Sequence, residues 1–273
     1  MKKNTIVSNK GRRGTLVAVA AVLLAVLAAG AAVAFDRLRS LWLEQCTVTD
    51  ATVQIEVNSG KLVKGDVVAE TLGLHNGANT AEIDFAERRS EVLKRYPAIR
   101  DITITRHLPN RVTITVVERE PVVRMNLRGA KRDSGRVADS FGVVFQCRRG
   151  TGLLPVIREA QAPGTAPGHR LQGRALGALA LAETFRLPEF QEMGALEFDI
   201  SRPDYIAATL GDYSTAKIAW SGMDAPSGAT RPELMRTLSN LRDTIRSNIA
   251  SGVKTWIATS PDRAYANTME TIR

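Results

Sequence analysis

Residues 102–116 read ITITRHLPNRVTITV, and this stretch decides the fold of the segment around it. Ile102 and Ile104 alternate with Thr103 and Thr105, and Val112, Ile114 and Val116 alternate with Thr113 and Thr115. A period of two is that of a half-buried strand. Between the runs, His107-Leu108-Pro109-Asn110 supply a turn: proline presets its backbone and asparagine tolerates its geometry, with Arg106 and Arg111 on either side. Two alternating runs joined this way predict a hairpin.

Upstream, TVQIEV at 52–57 alternates in the same manner and predicts another strand. KGDVVAETL at 64–72 predicts a brief helix that stops at Gly73. A second helix starts at Asp84, whose carboxylate can cap it, with Glu87 three residues on completing a capping-box-like pair. Phe85, Val92, Leu93 and Tyr96 share one face of this helix, Glu91 and Arg95 lie four apart on the wet side, and Pro97 ends it. The order is strand, helix, helix, strand, strand. Two helices would cover one face of a three-stranded sheet.

Downstream of Glu120 the pattern changes to short strands and turns. Val143-Val144-Phe145 and Leu153-Leu154-Pro155-Val156-Ile157 are apolar runs, and 158–174, rich in Pro, Gly, Ala and Gln, reads as an exposed loop. A helix is predicted at 175–186, then strands near 195–200, 205–210 and 215–221. A further helix starts at the box Thr230-Arg231-Pro232-Glu233, with Leu234, Met235, Leu238, Leu241 and Ile245 on one face. Strands at 253–259 and 264–269 close the chain around Ser260-Pro261-Asp262-Arg263. The expected unit is a mostly antiparallel sheet with attached helices.

At the other end, residues 16–35 (LVAVAAVLLAVLAAGAAVAF) form an uncharged apolar run that would span about 30 Å as a helix, the thickness of a bilayer core. Lys2, Lys3, Lys10, Arg12 and Arg13 precede it without an acid, which keeps the short N-terminus in the cytoplasm and exports the rest. A cleaved secretory signal is the rival reading, because Ala32-Val33-Ala34 has the form of a cleavage site. The apolar part of a signal is shorter, about 7–15 residues. Residues 36–51 read as a juxtamembrane connector, with Trp42 suited to the membrane interface.

Composition removes several function classes. The chain of 273 residues carries a net charge of +9, five units of it in the N-terminal tail, so no basic stripe for nucleic acid spreads over the exported part. Aromatic residues are only 5% of the chain, too sparse for stacking platforms. Cys46 and Cys147 exclude a four-cysteine zinc site; an oxidising compartment would allow them to pair, and their placement in different modules reads instead as two unpaired thiols. His75, His107 and His169 show no ligand spacing, so no metal or cofactor site is expected. Ser214-Thr215-Ala216-Lys217 is a literal S-x-x-K, but it begins a predicted strand, where positions three apart face opposite sides of the sheet. No catalytic residue is assigned. The closing strand is more informative. It lies near the end of the chain and is expected to be a sheet edge open to a partner strand. Ala264, Tyr265, Ala266, Asn267 and Met269 would line that edge, with Tyr265 as an anchor and Trp256 on the neighbouring strand as a second.

Taken together, these features resemble the FtsQ/DivIB family of bacterial cell-division proteins. The resemblance rests on a basic tail and one apolar span, and on three later stretches. Arg106-His107-Leu108-Pro109-Asn110-Arg111-Val112-Thr113-Ile114 is similar to the family's R-x-x-P hairpin. Glu118-Arg119-Glu120-Pro121-Val122 resembles its E-R-x-P-V junction. Asp139-Ser140-Phe141-Gly142-Val143-Val144-Phe145 with Leu154-Pro155-Val156-Ile157 resembles the D-x-x-G-x-x-F and L-P start of its β domain. The first strand lacks the family's usual following glycine, and the loop at 158–174 is long.

The resemblance implies an α+β protein: a cytoplasmic tail (1–15), a transmembrane helix (16–35), a connector (36–51), a POTRA domain of β-α-α-β-β order (52–119) and a β domain (120–273). It implies a non-enzymatic scaffold of the cytoplasmic membrane, with its bulk in the periplasm, at the division site. Its carboxy-terminal sheet would receive FtsB, within a complex including FtsL, and so help control the septal synthases FtsW and FtsI. Two other readings stand beside it. A POTRA-type chaperone or transport module would use strand addition equally well, and a secreted hydrolase would require the cleaved signal.

Overall fold

The computed structural model describes residues 10–49, 52–58, 62–127, 134–160, 162–248 and 252–267. It is an α+β structure with one long N-terminal helix and two separate sheets. Helix α1 runs Lys10–Gln45, so it does not end where the apolar run ends at residue 35 but carries on through most of the expected connector. Nothing in that stretch breaks a helix: Asp36-Arg37-Leu38-Arg39-Ser40 contains neither proline nor glycine. Within it, Ala21–Gln45 is long and apolar enough to cross a membrane and is unburied by the rest of the chain.

The small sheet has strands β1 (Val53–Asn58), β2 (Ile99–His107) and β3 (Arg111–Glu118) in the order β1-β3-β2. β2 and β3 form the expected antiparallel hairpin, while β1 lies parallel to β3 with Val53 opposite Val112. Helices α2 (Gly65–Thr71) and α3 (Phe85–Arg95) cover one face. Val68, Leu72 and Val92 from this layer meet Ile102, Val112, Ile114 and Val116 in a closed core. Gly73, at φ +79°, ends α2 in a conformation that side chains resist. The Asp84 side chain caps α3 by accepting from the N–H groups of Ala86 and Glu87. The ion pair on the helix surface is Arg88 with Glu91 at 3.0 Å, one turn earlier than the Glu91–Arg95 spacing suggests.

The large sheet has nine strands: β4 (Val123–Leu127), β5 (Arg136–Ala138), β6 (Val144–Gln146), β7 (Val156–Ala160), β8 (Glu197–Asp199), β9 (Ile206–Thr209), β10 (Thr215–Ile218), β11 (Thr255–Ser260) and β12 (Arg263–Ala266). Their order is β12-β11-β10-β9-β8-β7-β4-β5-β6. Pairing is mostly antiparallel, with parallel contacts at β10–β11, β4–β7 and β7–β8. Helices α4 (Gly173–Phe185) and α5 (Arg231–Ser247) pack into a single core with the sheet through residues such as Leu179, Leu181, Leu234, Leu238 and Leu241.

Two expectations for this unit need correction. Residues 158–174 are not simply an exposed loop: β7 continues to Ala160, a short 3-10 turn covers Ala162–Thr165, and Val143 bridges Arg170. Thr165 and Leu171 are buried: Leu171 joins the main core, and Arg136 of β5 donates to Thr165 O at 3.1 Å. At the start of α5, the Thr230 side chain makes no cap to the helix. The capping box belongs instead to Ser227 and Thr230 around the preceding 3-10 turn, and Glu233 Oε1 accepts from the Ser221 N–H at 2.8 Å.

Candidate partner-binding site

β12 is an end strand of the large sheet and pairs only with β11 among the described residues. Its register explains which side chains face outward. On one face, Ile157, Phe198, Ala208, Ala216, Trp256 and Ala266 form a continuous cross-strand row. On the other, Arg158, Asp199, Ala207, Lys217, Ile257 and Tyr265 do the same. The first row lies under α4 and α5 and is buried through Trp256; the second faces away, and Tyr265 at its end is 53% exposed.

The two proposed anchors therefore stand on opposite faces. Trp256 is 3% exposed, packs in the main core and donates its indole N–H to Ser214 Oγ at 3.1 Å. It is a core residue that braces the edge from behind, not a surface anchor. Because side chains alternate along a strand, the assignment of Trp256 to the inner row forces Tyr265, opposite Ile257, to the outer one.

Backbone direction follows from the same register. The Asn267 N–H donates to Thr255 O at 2.8 Å, which makes Trp256–Ala266 a non-hydrogen-bonded pair and turns the polar groups of Ala266 away from β11. Ala264 O has a 3.3 Å contact with Thr244 Oγ1, a hydroxyl that also donates to Asn240 O at 2.7 Å. Ala264 and Ala266 side chains are half-buried against the core, while the outer backbone is presented at Ala266. Met269 lies outside the described residues.

The S-x-x-K residues do not form a nucleophile and base. Ser214 is buried, donates to Asp212 Oδ1 at 2.6 Å and accepts from Trp256. Lys217 belongs to the outer row, with Nζ 5.7 Å from the centre of the Tyr205 ring.

A second set of residues joins the two sheets. Arg119, from the E-R-x-P-V stretch, donates Nη1 to Asp139 Oδ2 at 2.6 Å and Nε to Pro97 O at 2.9 Å. Asp139, from the D-S-F-G stretch, uses Oδ1 to accept from the N–H groups of Phe141 and Val143. Glu118 Oε1 accepts from Leu62 and Val63 N–H at 2.9 and 2.7 Å. Behind them Val137, Phe145 and Cys147 form a small apolar cluster with Leu62 and Ala98. Cys46 and Cys147 are both buried and unpaired. The two stretches are individually legible in the sequence, but no local signal pairs them.

The three-stranded sheet with two helices on one face defines a POTRA domain, and residues 52–119 match the family profile described as POTRA domain, FtsQ-type. With the apolar helix ahead of it, this match supports the FtsQ/DivIB family, a non-catalytic scaffold family, and a division-related role in general. A search among curated proteins finds no match to the chain.

Proposed function

We propose that the chain is a non-enzymatic divisome scaffold, anchored by α1 in the cytoplasmic membrane with its N-terminus in the cytoplasm and both sheets in the periplasm. Its β12 edge binds an FtsB-type strand from an FtsB–FtsL coiled-coil pair. In that way it helps recruit and control the septal synthases FtsW and FtsI. The observation that carries this reading is the edge itself: outward-turned backbone at Ala266, with Tyr265 standing on the open face. Main-chain pairing would supply affinity and Tyr265 an amphipathic anchor. Anchoring all partners in one membrane raises their effective concentration without any new contact.

The test is capture of a purified FtsB–FtsL-type pair by the full chain in lipid nanodiscs. Retention of the pair, lost on blocking β12, supports the proposal. Failure to retain it at concentrations where the chain is folded sinks the partner assignment. An undiscriminating capture of extended peptides would favour the chaperone reading instead.

A further inference from the structure

We propose that the tip of the β2–β3 hairpin is a second membrane contact, in which Leu108 enters the lipid interface and Arg111 meets anionic headgroups. The inference rests on the reading of α1 as a membrane anchor. The tip is not explained by the core it grows from: Leu108 is 67% exposed, and His107 and Arg111 beside it are exposed as well. Exposed leucine flanked by basic residues is the chemistry that interfacial segments use.

Topology places this tip at the membrane end of the small sheet. β1 runs parallel to β3 and Val53 lies opposite Val112, so the end where the chain enters from α1 is the end that carries the turn. The opposite end, about 27 Å away along an eight-residue strand, leads through Glu118 and Arg119 to the large sheet. Direct contacts fix the tip to the end of the helix. Thr80 Oγ1 lies 3.2 Å from Cys46 O and 3.4 Å from Pro109 O. Arg106 Nη2 donates to Thr80 O, and its guanidinium lies 5.2 Å from the centre of the Phe85 ring. Asn79 Nδ2 donates to Leu43 O at 3.1 Å, and Val48 exchanges backbone hydrogen bonds with Gly77 and Ala78. These contacts clamp the small-sheet unit to the end of α1 and the residues just after it.

Height above the bilayer is set by the helix. Beyond residue 35, α1 exposes Leu38, Leu41 and Trp42 among the charged Asp36, Arg37 and Arg39, an amphiphilic stretch that ends on an aromatic residue suited to the interface. From Trp42 to Cys46 the helix rises only about 6 Å, comparable to the headgroup layer of about 5–8 Å on each side of the hydrocarbon. Acids are present on the elements that hold the tip, Glu44 on α1 and Glu82 beyond Thr80. Arg106 is engaged in holding the tip to Thr80, so Arg111, exposed at the start of β3, is the tip residue assigned to the headgroups. The contact would add a second point of attachment and so fix the rotation of the POTRA domain about α1.

The experiment uses the full chain with Leu108→Cys carrying an environment-sensitive fluorophore, in vesicles of phosphatidylcholine and phosphatidylglycerol with nitroxide on a fraction of the headgroups. Cys46 and Cys147 are buried in the folded protein, which confines labelling to the added thiol. Leu153→Cys, fully exposed on the large-sheet unit, is the comparison. Blue-shifted emission and loss of most of the intensity at position 108, with none at 153, are expected. Arg111→Glu should reverse the loss on anionic vesicles. Equal signals at 108 and 153 in protein that floats with the vesicles would overturn the tip contact, as would an Arg111→Glu variant that behaves like the parent. Protein that does not float would overturn the anchor, and the tip contact with it.

Discussion

Arg119 Nη1 and Asp139 Oδ2 lie 2.6 Å apart, with side-chain exposures of 16% and 3%, and this ion pair ties the end of β3 to the loop before β6. It differs in kind from a surface pair such as Arg236–Asp262, at 3.2 Å with both side chains mostly exposed. Removing one partner of a buried pair leaves a charge without compensation and costs about 3–5 kcal/mol, whereas an exposed pair contributes about 0–1 kcal/mol. Arg119→Ala is therefore expected to lower unfolding stability by about 3 kcal/mol and Arg236→Ala to leave it nearly unchanged. Denaturant titration of the full chain in detergent measures both; equal small effects would show that the joint is not held by this pair.

Tyr265→Lys should weaken capture of the coiled-coil pair while leaving the thermal transition close to that of the parent. Tyr265 is half exposed at the end of the outer row, so its ring does not fill the core. Truncating a central aromatic anchor typically reduces binding by about 2 kcal/mol or more. Binding measured by interferometry alongside a thermal scan separates the cases. A large drop in melting temperature would place Tyr265 among the structural residues instead.

Ala266→Pro addresses the backbone rather than the side chain. The Ala266 N–H points away from β11, so proline removes a donor that an added strand would use and that β11 does not. Partner capture should fall sharply with the β11–β12 pairing intact. If capture persists, the partner docks on the face around Tyr265 and not along the edge.

Much of the small sheet is legible because its strands alternate strictly and its helices carry local stop and start residues: Pro109 and Asn110 in the turn, Gly73 after α2, Asp84 before α3. Those signals act over a few residues and survive without tertiary context. Trp256 shows where such reasoning ends. Its strand is short, and whether its odd or even residues face inward depends on β11 lying parallel to β10 with α5 over one side. Only the register with Ala216 and Ala266 decides that. Arg119 and Asp139 are visible as members of two motifs, but their pairing is a property of the assembled joint. In the 158–174 segment, turn-rich composition conceals the burial of Thr165 and Leu171, because it depends on partners distant in sequence, the main core for Leu171 and Arg136 for Thr165.

Gly177 in α4 is a position where local propensity and packing oppose each other. Alanine favours a helix interior over glycine by about 1 kcal/mol. At this site, however, an added Cβ would lie 2.1 Å from Met223 O, a backbone atom that cannot rotate aside, and 3.4 Å from Ile206 Cδ1. Overpacking of this sort costs about 1–3 kcal/mol. Gly177→Ala should therefore lower stability despite the better helix former, and a raised melting temperature would mean the 221–225 turn moves freely.

Glu183 on α4 supplies the pH dependence. Burial pushes its carboxyl above the ordinary value of 4.5, opposed by the nearby Arg231 and Arg186 charges and assisted by Asp139. A carboxyl raised in the folded state binds its proton more tightly there than in the unfolded chain. Its contribution to stability is thus fully present below the unfolded value and is lost as pH rises through the folded one. Glu183→Gln keeps the shape and removes the ionisation, so the variant should melt higher than the parent at neutral pH and converge with it in acid. Thermal scans across that range check the sign. A variant that melts lower at neutral pH would mean that the Arg231 and Arg186 charges outweigh the burial, making ionised Glu183 a net stabilising partner at the start of α5.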